Sequence, residues 1–167
     1  MNPTANGLTL REFRAADLPT LFAHQQGAEA NHMAGFTAED PHDEGAFIAK
    51  MERIMANDEI VKRVIEVGGE VVGNVMGFEM FGENSVCYWI GRQHWGRGFA
   101  TKGLRAFLGE HKIRPLFARV ADDNTGSIRV LEKCGFVPSG QDMGFAHGRG
   151  REIRELIMRL DEGDAAK

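Results

Sequence analysis

The sequence predicts an α/β fold with a mixed, mostly antiparallel central sheet of about seven strands flanked by four helices, and three observations carry that prediction. Two β-rich segments, 60–67 and 70–81, are joined by Gly68-Gly69, a pair that suits the positive φ angles of a two-residue hairpin turn. An apolar strand, a helix and a second short apolar run then follow one another between Val86 and Val120, which implies a crossover and parallel pairing. Finally, 167 residues with 43% hydrophobic and 26% charged side chains fit one globular domain over 1–167 rather than two domains or a disordered chain.

Taken in order, residues 8–14 are a short extended segment. Asp17 followed by Pro19 is an N-cap signal for a helix carrying Leu18, Leu21 and Phe22. The stretch 31–42, with Gly35 and Pro41, is the least patterned of the chain. Asp43 starts a second helix, in which Phe47, Met51, Ile54 and Met55 fall at i, i+4, i+7 and i+8 on one apolar face. After the Gly68-Gly69 hairpin, a turn at Gly82-Glu83-Asn84 leads into an apolar strand, 86–90, that stops at Gly91. Helical spacing returns over 96–111 with Ala100, Leu104, Phe107 and Leu108. Residues 115–120 are a continuous apolar run, as in a strand covered on both faces. Asn124 caps a helix through Ile128, Leu131 and Cys134, and Gly135 stands where a left-handed residue is wanted. Segments 136–147 and 151–160 form a last hairpin around Gly148-Arg149-Gly150, with Leu156, Met158 and Leu160 alternating onto one face. The order is β-α-α-β-β-β-α-β-α-β-β, without internal repeat or linker.

Charge and composition narrow the partners. With 20 Lys+Arg against 24 Asp+Glu the net charge is −4, so the basic footprint that a phosphate backbone requires is missing and nucleic acid is not an expected partner. No apolar run approaches the ~20 residues needed to cross a bilayer. Residues 1–7 lack a positive n-region and an apolar h-region, so no membrane partner and a cytoplasmic location are expected. Cys87 and Cys134 have no CxxC spacing and read as buried free thiols. The six histidines show no HxxxH or HxH pair, and no metal is expected.

The 21 glycines exceed the usual share of roughly 7%, and their placement points to chemistry. Trp95-Gly96-Arg97-Gly98-Phe99-Ala100-Thr101-Lys102 joins a strand end to a helix start with glycines on alternate positions, so that successive N–H groups can approach an anion at the positive helix terminus. Packing alone also produces glycine-rich turns, and both readings stand at this point. A Rossmann fingerprint would need Gly or Ala at Thr101, and a P-loop would need Gly-Lys-Ser/Thr.

Three blocks resemble the GNAT (GCN5-related N-acetyltransferase) superfamily, over Leu8 to Leu160. They are Tyr88-Trp89-Ile90, the loop Trp95 to Thr101, and the run Asn124-Thr125-Gly126-Ser127-Ile128-Arg129-Val130-Leu131-Glu132-Lys133-Cys134-Gly135-Phe136. Together they look like the branch of RimJ/RimL-type ribosomal-protein N-terminal acetyltransferases. The superfamily's loop signature, Gln/Arg-x-x-Gly-x-Gly/Ala, lies on this chain as Gln93-x-x-Gly96-x-Gly98 or, in the preferred register, as Trp95-x-x-Gly98-x-Ala100, with Trp95 replacing the usual polar residue. The resemblance implies acetyl-CoA as cosubstrate. The amides of Gly96, Arg97, Gly98, Phe99, Ala100 and Thr101 would seat its pyrophosphate. The backbone of Tyr88, Trp89 and Ile90 would pair with the pantetheine arm, with one N–H near Ile90 facing the thioester oxygen. Asn124 matches the position of an Asn that touches the cofactor, and it equally suits a helix N-cap.

The chain also departs from its relatives. In similar alanine N-acetyltransferases a Tyr seven residues after this Asn is the acid for the thiolate and a Glu five residues before it is the base, whereas here the positions hold Leu131 and Arg119. Ser127 is then the best hydroxyl for donating a proton or hydrogen bond to sulfur, with Glu79 and Glu83 as bases through water. Acceptor recognition is expected from residues 17–55 and the Arg149 hairpin, with Glu29, His32, Glu39 and Asp40 as groups that attract an amine. The implied activity is N-acetyl transfer to a primary amine, on a peptide N-terminus or a small molecule, by direct attack in a ternary complex. A non-catalytic acyl-CoA-binding module is the alternative, and a homodimer is compatible with either. An acetyl-cysteine route is disfavoured, because neither thiol has an activating His nearby in sequence.

Overall fold

A computed structural model describes residues 7–163; the ends of the expected 1–167 domain lie outside that range. The strands are β1 (Leu8–Glu12), β2 (Val61–Val67), β3 (Glu70–Met80), β4 (Glu83–Ile90), β5 (Leu116–Ala121), β6 (Val137–Ala146) and β7 (Arg151–Leu160). The helices are α1 (Leu18–His24), α2 (Ala28–Ala34), α3 (Glu44–Ala56), α4 (Phe99–Glu110) and α5 (Thr125–Lys133). One seven-stranded sheet runs β1-β2-β3-β4-β5-β7-β6, antiparallel throughout except between β4 and β5.

The α/β class and the seven strands are as the sequence predicts, with one helix more. That helix, α2, falls partly in the stretch that reads as unpatterned, and non-local bonds hold it. Asn31 is buried and donates from Nδ2 to the carbonyls of Gln25 (2.7 Å) and Gly27 (2.9 Å), while Gly148 of the β6–β7 hairpin donates to Gly35 at 2.8 Å. The hairpin at Gly68-Gly69 forms with φ of +59° and +84°. The next turn sits one residue earlier than expected, on Phe81 (φ +54°) and Gly82 (φ +76°), and β4 accordingly begins at Glu83.

Asp17 occupies the N-cap position of α1, but its side chain does not cap the helix. Its carboxylate takes two hydrogen bonds from Arg11 (2.8 and 2.9 Å) and one from the Arg14 amide (2.8 Å), and Arg11 Nε reaches Glu66 at 2.9 Å. A buried guanidinium outcompetes one helix amide because charge-assisted bidentate pairing is the stronger bond. Asp43 does cap α3, accepting from Ala46 N at 2.9 Å.

The sheet carries a core on each face. One packs α4 and α5 over β5 and β7 through Leu104, Phe107, Leu131, Met158 and Leu160, and the other packs α1 and α3 over β2 through Leu18, Leu21, Met51 and Val64. Helix α4 lies close on the sheet because residue 103 is glycine: a Cβ there would stand 2.6 Å from Ile65 Cδ1.

Candidate active site

Strand β4 stays paired with β3 along its length, from Glu83 opposite Met80 to Ile90 opposite Gly73, yet it meets β5 at one register point, Ser85 opposite Phe117. The two parallel strands therefore diverge toward their C-terminal ends. Gly91 donates to Val72 O on the β3 side at 2.9 Å, so by strand alternation Ile90 and Tyr88 turn their peptide groups the other way, into the gap. An extended chain entering there finds strand-like partners without displacing any strand of the sheet.

The gap opens into a cavity of about 610 Å³ walled by β4, the loop after it, the first turn of α4, α5 and α2. In the loop both Gly96 and Gly98 have φ of +77°. A Cβ would meet nothing within 4 Å at Gly96 and only Lys102 Cε, at 3.9 Å, at Gly98, so glycine is required there by the backbone conformation and not by lack of room. Gly98 is the N-cap of α4, which receives no side-chain cap and has no acidic residue in its first turn. The positive end of a twelve-residue helix thus faces open space, the arrangement that holds an anion. Trp95 ties the loop to the strand end by donating from Nε1 to Ile90 O at 2.9 Å. Across the cavity, α5 presents Arg129 and Lys133; among the described residues lining it there is no carboxylate.

Of the residues singled out from sequence, Tyr88, Trp89, Ile90, Gly96, Gly98, Phe99, Ala100, Thr101, Asn124 and Ser127 all line this cavity. Arg97 does not: it is exposed, with its guanidinium 4.6 Å from the Phe99 ring centroid. Gln93, from the alternative loop register, is also outside the lining, whereas Trp95 is in it. Asn124 combines both of its expected placements, accepting from Ser127 N at 3.3 Å as the cap of α5 while facing the cavity. Ser127 Oγ lies 2.6 Å from Tyr88 Oη. Burial pushes the Tyr88 hydroxyl well above the ordinary tyrosine value, although its bond to Ser127 acts the other way.

Other candidates are placed elsewhere. Leu131 is a core residue, and Arg119 pairs with Glu155 (3.0 Å) and Asp142 (3.4 Å). Glu79 and Glu83 sit by the β3–β4 turn, at the opposite end of β4 from the cavity. Glu29 pairs with Arg92 at 3.0 Å on the surface. The Arg149 side chain is engaged as a clasp: it grips both carboxylate oxygens of Asp123 (2.7 and 2.8 Å) and donates to the carbonyls of His32 and, at 3.4 Å, Met33 at the end of α2. Through it the β6–β7 hairpin locks the α2 wall to the loop that carries Asn124.

Sequence reading misses Ala30, Met33 and Ala34 of α2, His94, and the two cations of α5, all of which line the cavity. The α5 residues had a signal, since Gly126, Arg129, Val130 and Lys133 share one helical face at i, i+3, i+4 and i+7. Beside the cavity His94 and His24 are buried with ring centroids 6.0 Å apart, and burial, reinforced by His94, lowers the His24 pKa. Both thiols are free and pushed up to about 11 by burial, which suits packing better than nucleophilic attack. Among the described residues no group of three or more His, Cys, Asp or Glu could hold a metal ion, and no helix is long and apolar enough to cross a membrane.

Comparison with known proteins adds an independent line. A family model described as an acetyltransferase (GNAT) domain matches residues 7–137. An uncharacterized N-acetyltransferase, p20, of Bacillus licheniformis is 24% identical over 164 residues, covering 92% of each chain. Many solved structures share the fold, two acetyltransferases among them. The spermidine N-acetyltransferase of Vibrio cholerae, in complex with CoA and spermine, gives a TM-score of 0.78 at 19% identity over 94% of this chain and 96% of that one. The ribosomal-protein-alanine N-acetyltransferase of Brucella melitensis gives 0.73 at 22% identity over 92% and 99%.

Proposed function

This chain belongs to the GNAT acetyltransferase family and is an N-acetyltransferase, and we propose that it works as one domain over 1–167 that seats acetyl-CoA between β4 and β5 and passes the acetyl group directly to a primary amine in a ternary complex. The observation that carries this reading is the divergence of β4 from β5 beside the uncapped start of α4. The amides of Gly96 through Thr101 bind the pyrophosphate, and Arg129 and Lys133 add positive charge on the facing wall. Arg97 contributes its backbone only, since its side chain lies on Phe99.

The peptide group of Tyr88 pairs with the pantetheine arm as an added strand would. The Ile90 carbonyl is already bonded to Trp95, which leaves its N–H for the thioester oxygen, where negative charge develops. Asn124 touches the cofactor from the end of β5, and Ser127 donates to the departing sulfur. With Leu131 and Arg119 at the positions of the family's acid and base, the rate rests mainly on orientation, which can supply ~7–11 kcal/mol of a barrier.

The acceptor is a neutral primary amine of a protein N-terminus or a small molecule. A cytoplasmic location without a membrane partner is part of the proposal, and the net charge of −4 accords with no nucleic-acid partner. The test is release of CoA thiol, followed with a thiol dye over a panel of amines and N-terminal peptides. Turnover with at least one acceptor supports the proposal; tight CoA binding without turnover across the panel would make the chain an acyl-CoA-binding module.

A further inference from the structure

Tyr88 is the one tyrosine of the chain. Its side chain leaves β4 on the α5 side, and its Oη lies 2.6 Å from Ser127 Oγ and 3.2 Å from the Ser127 carbonyl oxygen. The two residues are 39 positions apart, and both line the cavity. Ser127 is held from below, because its amide donates to Asn124 Oδ1. Each hydroxyl has one proton to give, so the pair has two arrangements. In one, Tyr88 donates to the carbonyl and Ser127 donates to Tyr88 Oη, which turns the serine proton away from the cavity. In the other, Tyr88 donates to Ser127 Oγ, and the serine proton is free to point into the cavity. Rotation of both hydroxyl protons interconverts them, the 2.6 Å bond between the hydroxyls persists in either arrangement, and negative charge developing on a sulfur in the cavity selects the second, in which the serine proton can reach it.

We propose that Tyr88 is a positioning residue, whose hydroxyl donates to Ser127 Oγ and so directs the Ser127 proton at the sulfur of the departing CoA thiolate. This rests on the placement of acetyl-CoA proposed above. As the amine nitrogen bonds to the carbonyl carbon, the C–S bond breaks with its electron pair on sulfur, and the Ser127 O–H donates a hydrogen bond to that sulfur. Neither hydroxyl gives up its proton. The nitrogen loses its proton to water, and the thiolate takes one from water after release. A buried tyrosine hydroxyl pushed above its ordinary value suits this role, since burial keeps it protonated, and so a donor, to higher pH than a free tyrosine. The tyrosine that relatives carry at the position of Leu131 is thereby replaced by a tyrosine on a strand acting through a serine on the helix.

The test needs no acceptor. CoA is bound at a saturating protein concentration, and the ultraviolet absorbance of its thiolate is titrated with pH; Cys87 and Cys134, at about 11, stay out of the window. The wild-type protein should lower the bound thiol below the value that free CoA shows when titrated in the same buffer. Tyr88→Phe and Ser127→Ala should each reduce the thiolate-to-thiol ratio at a given pH by about tenfold, and the double variant by no more than either single one. CoA affinity measured by calorimetry should hold in all three. A bound-thiol pKa that moves in Ser127→Ala but not in Tyr88→Phe overturns the role of Tyr88, as does one that moves in neither. Failure of the wild-type protein to bind CoA would instead overturn the placement of the cofactor, and the proposal with it.

Discussion

Replacing Gly98 by Asp and by Asn separates the charge of the proposed pyrophosphate seat from its shape. At φ +77° a side chain costs roughly 1 kcal/mol, and Asp and Asn tolerate this region better than other residues. The added Cβ has room, with Lys102 Cε the nearest atom at 3.9 Å. Both variants should therefore fold, within ~1 kcal/mol of the wild type. Either side chain competes for the amides, but only Asp places a negative charge against the phosphates. Two unit charges 4 Å apart interact by ~4 kcal/mol at an effective dielectric of 20 and by ~1 kcal/mol in bulk water. The loop is exposed, so ~2 kcal/mol is expected, or about 30-fold in Kd between the Asp and Asn variants. Calorimetric titration of CoA, paired with denaturant midpoints, measures both quantities, and the gap between variants should shrink at high salt as the Debye length falls. Equal CoA affinity for folded Gly98→Asp and Gly98→Asn would show that no phosphate sits at the start of α4.

Three further perturbations follow from the geometry. Asp17→Asn strips Arg11 of its bidentate carboxylate in a buried setting and should cost ~3 kcal/mol, the low end for breaking a buried pair because Glu66 remains; chemical denaturation showing under ~1 kcal/mol would contradict this. His24 is held neutral by burial, with its folded pKa below the unfolded ~6.5, so the unfolded chain takes up a proton first as pH falls. Its stability contribution is present above about pH 6.5 and lost below it; His24→Leu should flatten that part of the stability profile, His111 leaving a residual slope of the same sign, and an unchanged profile would contradict the assignment. Arg149→Ala removes the clasp between α2 and Asp123, so amides of the last turn of α2 should exchange at least ~10-fold faster and the acceptor KM should rise while CoA affinity holds; unaltered exchange would show that α2 stands without it.

What was legible in the sequence is what short-range chemistry decides. Gly68-Gly69 and the Asn124 cap read correctly because each is settled within four residues, and the apolar faces of α3, α4 and α5 because periodicity survives translation into packing. The cavity residues of the β4 end, the glycine loop and Asn124 were legible through family resemblance joined to the need for an anion seat. What escaped depends on partners far along the chain. Asp17 reads as a cap but is claimed by Arg11, itself shared with Glu66, 55 residues from it. Helix α2 carries only the short apolar set Ala30, Met33 and Ala34 at i, i+3 and i+4, and it is held by Gly148 and Arg149, more than a hundred residues on. A left-handed Phe81 carries no signal of its own, and the meeting of Tyr88 with Ser127 depends on how α5 lies against β4.

The central claim is that the free edge of β4 and the start of α4 together form the cofactor seat, and residue-resolved amide hydrogen exchange with and without CoA tests it most directly. The amides of Tyr88 and Ile90, which face the gap, and those of residues 96–101 should gain protection on binding, while the Gly91 amide, already bonded to Val72, should change little. CoA binding that leaves the exchange of Tyr88, Ile90 and the loop unchanged would place the cofactor elsewhere and contradict the account.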